Sequence, residues 1–124
     1  MKVGIVGSSK ATYDQAHEAI ELIINSYPLD TTFISGGAKG IDNVVKLICA
    51  KLNRNIIEMI PKQQNWAEFK KRNLLIAKHS DVVISVALKF SGNPCYHCNN
   101  STHDKTAGCY TLKHAKKGRV VVLK

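Results

Sequence analysis

The chain has 124 residues, enough for one hydrophobic core and too few for two, so a single domain over 1–124 is expected. With 44% hydrophobic and 22% charged residues it is neither disordered nor fibrous in character, and no apolar run reaches the roughly 18 to 20 residues of a membrane span. Eighteen Lys and Arg against nine Asp and Glu give a formal charge of +9, which favours polyanionic partners through long-range attraction and counterion release; lysines that serve only solubility are the plainer alternative.

The opening MKVGIVGSSK holds a short β-like apolar run with glycines and no small-residue cleavage site, so a cytoplasmic protein is expected. Val3 to Val6 reads as a strand, followed by a helix with Tyr13, Ala16, Ile20, Ile23, Ile24 and Tyr27 at helical spacing, ended near Pro28. Thr32 to Ser35 is a second strand, and Ile41, Val44, Val45, Ile48, Cys49 and Leu52 mark the buried stripe of a second helix. Ile56 to Ile60 gives a third strand, closed by Pro61, and a helix runs from about Trp66 to His79 with Trp66, Phe69, Ile76 and Ala77 on one stripe. The continuous apolar run Asp81 to Leu88 suits the centre of a sheet covered on both faces. A polar loop over 89–105, a helix from about Thr106 to Lys117 and a strand from Arg119 to Leu123 complete five strands and four helices.

This alternation predicts a three-layer α/β fold with a five-stranded parallel sheet, in the order 3-2-1-4-5 that right-handed crossovers with one reversal would allow. Ligands in such sheets bind beyond the carboxyl ends of the strands, where strand order reverses. Three loops leave strands at that edge. The first, GSSKAT, offers Gly7 for a tight turn and hydroxyls on Ser8, Ser9 and Thr12 beside a helix N-terminus, where an anion or a simple N-cap is expected. The second, SGGAKG, spans Ser35, Gly36, Gly37, Ala38, Lys39 and Gly40; its glycines admit positive φ and close approach of a phosphate, although neither the ATPase P-loop nor the dinucleotide fingerprint fits. Asp42 behind it suits either a ribose hydroxyl or the first turn of a helix, and Lys39 either a phosphate or solvent. Arg72 has the planar donor fork that suits phosphate or carboxylate, and Asn73, on a packed stripe, must find partners in the protein or in a ligand. Two further groups of basic residues, Lys70 to Arg72 and Lys113, Lys116, Lys117, Arg119 and Lys124, are a nucleic-acid patch or ordinary solvated charge.

The polar loop carries CYHCNNSTHDKTAGC. Cys95, Cys98, His103 and Cys109 have the spacing Cys-x2-Cys-x4-His-x5-Cys, which can close a tetrahedral zinc site within one segment, one residue away from the spacing of zinc knuckles. His97 and His114 are substitute ligands. A Cys95–Cys109 or Cys98–Cys109 disulfide, or free thiols, is the alternative, and a helix N-terminus beside Cys109 would lower its pKa if it were a nucleophile. A metal would also anchor a long loop that otherwise lacks support.

Together IVGSSKAT, SGGAKGID, RNLLIAKHSDVVI and TAGCYTLKHAKKGRVVVL resemble the Rossmann-like superfamily, called SLOG, that includes DNA-processing protein A and the Lonely guy phosphoribohydrolases. The loop and the Arg-Asn helix look most like DNA-processing protein A, and the short length like the compact YspA-type members. The resemblance implies a nucleotide-derived ligand or single-stranded DNA over the glycine loops, with binding roles for Gly7, Ser8, Ser35, Gly36, Gly37, Gly40, Asp42, Arg72 and Asn73, and it makes a homo-oligomer an expectation. Ser9 stands where many relatives carry arginine. The Lonely guy signature Pro-Gly-Gly-x-Gly-Thr-x-x-Glu is absent, and no glutamate follows Glu68. Binding or sensing of a nucleotide, with a zinc-stapled loop beside it, is therefore the expectation; single-stranded nucleic-acid binding and a nucleoside monophosphate hydrolase using Asp42 or Asp104 are the alternatives.

Overall fold

The computed structural model describes residues 1–98 and 100–124, without the side chains of 100 and 101. Its elements in chain order are β1 (Lys2–Gly7), α1 (Tyr13–Asn25), β2 (Thr32–Ser35), α2 (Ile41–Lys51), β3 (Asn55–Glu58), α3 (Trp66–His79), β4 (Val82–Ala87), β5 (Pro94–Cys95), β6 (Asn100–Asp104), α4 (Gly108–Lys113) and β7 (Gly118–Val122). Five strands form a parallel sheet in the order β3-β2-β1-β4-β7, the expected 3-2-1-4-5 with β7 as the fifth. Among the described residues no helix is long and apolar enough to cross a membrane.

Alternation along the strands distributes the apolar side chains between two faces. Val3, Ile5, Phe33, Ile84 and Val86 pack with Ile20, Ile24, Ile41, Val45 and Ile48 of α1 and α2. Val6, Ile34 and Val83 point the other way, against Ile76 of α3 and Leu112 of α4. Three layers result, and β4, covered on both sides, is buried from Val83 to Ala87. Its one polar residue, Ser85, lies with Oγ 3.6 Å from the Cys109 sulfur of α4.

Local signals set the helix ends. Thr12 and Gln15 form a reciprocal capping box at the start of α1, so the N-cap expected on the first loop is realised at Thr12. At its other end the buried Arg54 donates to the carbonyls of Ile24, Tyr27 and Pro28, serving acceptors that a helix C-terminus leaves open. Tyr13, placed on the buried stripe by spacing, is instead 41% exposed and stacks on His17.

Two expectations need correction. The segment 89–105 is not free of secondary structure: β5 and β6 pair antiparallel, Pro94 with Asp104 and Cys95 with Asn100, and Lys89 bridges to His103. Position 99 of that segment lies outside the described residues. Among the described residues this hairpin adds two strands to the five expected, all of which lie in the parallel sheet. The last helix runs over Gly108–Lys113 rather than Thr106 to Lys117, because Thr106 turns its hydroxyl onto the Gly108 N–H and closes the start of the helix.

Candidate functional site

Strand order reverses at β1. The chain leaves β1 for α1 on one face of the sheet and leaves neighbouring β4 for the hairpin and α4 on the other, which opens a crevice between the two exits. A cleft of about 860 Å³ occupies it, reaching from Gly7, Ser8, Ser9 and Lys10 across Gly37, Ala38, Lys39 and Asp42 to Arg72, Leu88 and the Asp104 to Ala107 stretch. Such a volume lies within the range of about 300 to 1,000 Å³ usual for ligand sites.

The first two loops are locked together by main-chain bonds. Ser8 donates its N–H to Val86 O and accepts from Ile41 N on its own carbonyl, both at 3.0 Å. The junction is close enough that a Cβ on Gly40, whose φ is +79°, would stand 2.3 Å from that same Ser8 carbonyl. Glycine is required there both by backbone geometry and by the approach of the first loop.

Asp42, the first-turn acid of α2, faces into the glycine loop. It accepts from Ser35 Oγ and from Ala38 N at 3.2 Å each, and its carboxylate lies 4.0 Å from Arg72. Burial lifts the Asp42 carboxyl above its ordinary value, while the Arg72 charge and these hydrogen bonds pull it back; burial likewise lowers Arg72 against the pull of Asp42. The Arg72 fork is already used: it donates to Gly36 O at 2.5 Å and to Asn73 Oδ1 at 2.7 Å. Ser35, Gly36, Gly40 and Asn73 do not line the cleft and stand behind it as the frame that shapes the loop.

The basic run Lys70 to Arg72 does not assemble as one surface. Lys71 pairs with Glu68, Arg72 turns inward to Asp42, and Lys70 lies 5.6 Å over the Trp66 ring. The basic residues that do line the cleft beside Arg72 are Lys10, Lys39 and Lys105. Trp66 and Phe69 also line it, the former 42% exposed, although their spacing put them on the buried stripe. Both lie in the first turn of α3, which begins at the ligand edge of the sheet, beyond the core that receives Ile76 and Ala77. Ile60, Pro61, Gln64 and Asn93 were not signalled by any motif and are supplied by loops that only the fold brings near.

On the far wall the hairpin and the start of α4 gather Cys95, Cys98, His103 and Cys109, whose ligand atoms all lie within 4.8 Å of one another. Tetrahedral ligation at ordinary bond lengths spaces sulfur and imidazole nitrogen by about 3.6 Å. Nε2 of His103 is 3.3 Å from Cys98 Sγ and 3.8 Å from Cys109 Sγ. The other ring nitrogen, Nδ1, donates to the Asp104 carbonyl at 2.7 Å, which leaves the Nε2 lone pair turned to the sulfurs. His97 and His114 are not in the cluster; both contact the Tyr110 ring. Cys95 and Cys109 are not in a disulfide, so neither alternative bridge is formed. Nor does Cys109 have the lowered pKa of a nucleophile: burial pushes its thiol up to about 12.

The fold resembles that of DNA processing protein A (DprA) from Streptococcus pneumoniae. The two superpose with a TM-score of 0.64 at 20% identity, over 97% of this chain and 58% of that one. The likeness is one of fold, and this chain spans less than two thirds of that protein's length. No protein-family profile and no curated protein sequence matches the chain.

Two carboxylates border the cleft. Asp42 is committed to the loop, and Asp104 accepts from Ser91 through both its N–H and its hydroxyl and from Asn93 N. Those bonds, chiefly from Ser91, hold Asp104 below the usual carboxylate range, which suits it poorly to donate a proton at neutral pH.

Proposed function

We propose that the protein binds single-stranded nucleic acid across this cleft and seats one nucleotide unit over the two glycine loops. The observation that carries the reading is the lining: Lys10, Lys39 and Lys105 surround a floor of loop backbone, and Trp66 and Phe69 supply aromatic rings. Phosphate attraction and base stacking are the two sequence-tolerant terms of single-strand binding, and the cleft holds groups for both. Likeness of fold to a protein named for DNA processing points the same way. Binding of a labelled oligodeoxynucleotide is expected to weaken steeply with salt. Replacing Lys10, Lys39 and Lys105 together with glutamine should flatten the log–log salt slope by about 2, at about 0.7 for each phosphate no longer neutralised. Affinity indifferent to salt, or equal for duplex and single strand, would count against the reading.

The volume of the cleft also favours a second reading, a phosphorylated nucleoside or an ADP-ribose-like small molecule as the ligand. It predicts thermal stabilisation by such a compound and loss of that shift in Gly37→Val. A Cβ at Gly37, where φ is +71°, would lie 2.8 Å from the Ile60 side chain, so the loop or that side chain must shift and the floor of the cleft changes shape. Midpoints compared with each protein's own ligand-free value decide it, and a full shift in the variant rules this floor out. Hydrolysis is the least supported reading, since both carboxylates at the cleft are held by other partners.

The Cys95, Cys98, His103 and Cys109 cluster we assign to zinc. Three thiolates and one imidazole form a closed set with no open position, which suits a structural ion rather than a catalytic one. Bound there, zinc would staple the hairpin that builds the far wall of the cleft.

A further inference from the structure

We infer that Trp66, Tyr96 and His97 form a second stacking subsite, which receives the base of the next nucleotide along the strand. This rests on the single-strand reading above and goes beyond it, because it fixes the smallest ligand that fills the site at two nucleotides.

Beside the main cleft lies a hollow of about 240 Å³, lined by Trp66, Tyr96, His97, Lys105 and Ala107. Trp66, Lys105 and Ala107 line both spaces, so the two adjoin. The hollow is smaller than the about 300 Å³ at which ligand sites usually begin. It suits a planar ring and not a whole nucleotide.

Its rings form one surface. Tyr96 and His97 have centroids 4.2 Å apart, and His97 lies 6.2 Å from Trp66 and 5.8 Å from Tyr110. Tyr96 is 62% exposed and Trp66 42%. Isolated exposed aromatics need no explanation, but these are contiguous and edged by positive charge. Lys105 Nζ sits 4.9 Å from the Tyr96 ring and Lys70 Nζ 5.6 Å from the Trp66 ring. A base stacks on such rings whatever its identity, and the lysines are placed for the phosphates either side of it. Lys105, shared by both spaces, is the group for the phosphodiester that joins the two nucleotides.

The chain presents two of these rings on the turn between two residues of the Cys/His cluster. Tyr96 and His97 are the two residues between Cys95 and Cys98, so a metal held by the cluster would fix the turn at both ends.

The test uses the intact protein and its single tryptophan, Trp66, as reporter. Deoxyadenosine 5′-monophosphate and the 5′-phosphorylated deoxyadenosine dinucleotide are titrated in turn, with tryptophan quenching and calorimetry as readouts. The dinucleotide is expected to bind about 5- to 150-fold more tightly, the gain of one stacked base. Tyr96→Ala should remove most of that gain and leave monophosphate affinity unchanged, while Tyr96→Phe keeps it. Equal affinity for the two ligands in the parent protein, or an equal loss for both in Tyr96→Ala, overturns the subsite while the cleft reading stands. If neither compound nor a longer single strand binds the parent, the cleft reading itself fails and the subsite with it.

Discussion

Asp42→Ala is expected to cost about 3 to 5 kcal/mol of folding stability, the usual penalty for stripping one partner from a buried ion pair. The substitution leaves Arg72, whose side chain is 10% exposed, as an uncompensated charge, and it removes the acceptor of Ser35 Oγ and Ala38 N. Arg72→Ala should do comparable damage from the other side, since Gly36 O and Asn73 Oδ1 lose their donor. The double variant is expected to lose less than the sum, with a coupling of about 1 to 3 kcal/mol. Much of the pair's attraction is already offset by its own desolvation, as the raised Asp42 and lowered Arg72 pKa values imply. Urea unfolding of the four proteins measures the cycle. Strict additivity would mean that the 4.0 Å approach carries no interaction, and that the glycine loop is shaped by something else.

Cys109→Ser should abolish metal binding and lower the thermal midpoint by about 10 °C, for a loss of about 3 kcal/mol in a chain of this size. That is well below the roughly 10 to 16 kcal/mol of domains that fold only with zinc, because the parallel sheet has its own core. Elemental analysis of the parent, purified without chelators, should give one zinc per chain, and the variant none. In the parent a strong chelator should reproduce the drop. Uptake of the ion must displace the proton that burial holds on Cys109 up to about pH 12, so metal binding should release acid into a weakly buffered solution. Parent protein free of metal yet as stable as before chelation would remove the assignment.

Hydrophobic period made the sheet legible. Each parallel strand is a short apolar run behind a helix of clear amphipathic spacing, and those signals lead to the observed strand order. α3 was legible to its bounds, Trp66 to His79, because its apolar stripe is regular; the structure adds an Asn65 cap at its start. The same regularity misplaced Trp66 and Phe69: periodicity reports which side of a helix a residue is on, not whether the sheet extends far enough to cover it. The β5–β6 hairpin left no apolar alternation to read, since its residues are Pro, Cys, Asn, Ser, Thr, His and Asp. Spacing proposed the Cys/His set but did not separate His103 from His97 and His114; the Nδ1 bond to the Asp104 carbonyl and the aromatic contacts of the other two do so. The partnership of Asp42 with Arg72, thirty positions apart in the chain, is visible only once α2 and α3 meet across the loop.

Ser8 lies in a connection between a strand and a helix, yet its main chain is held on one side by β4 and on the other by α2, and the residue is only 6% exposed. Its conformational freedom is surrendered during folding, when the core forms, rather than at the moment a ligand arrives. A phosphate meeting this edge of the sheet would therefore have little loop entropy to overcome, and the affinity of the cleft would follow from the charges and rings around it rather than from the ordering of its floor.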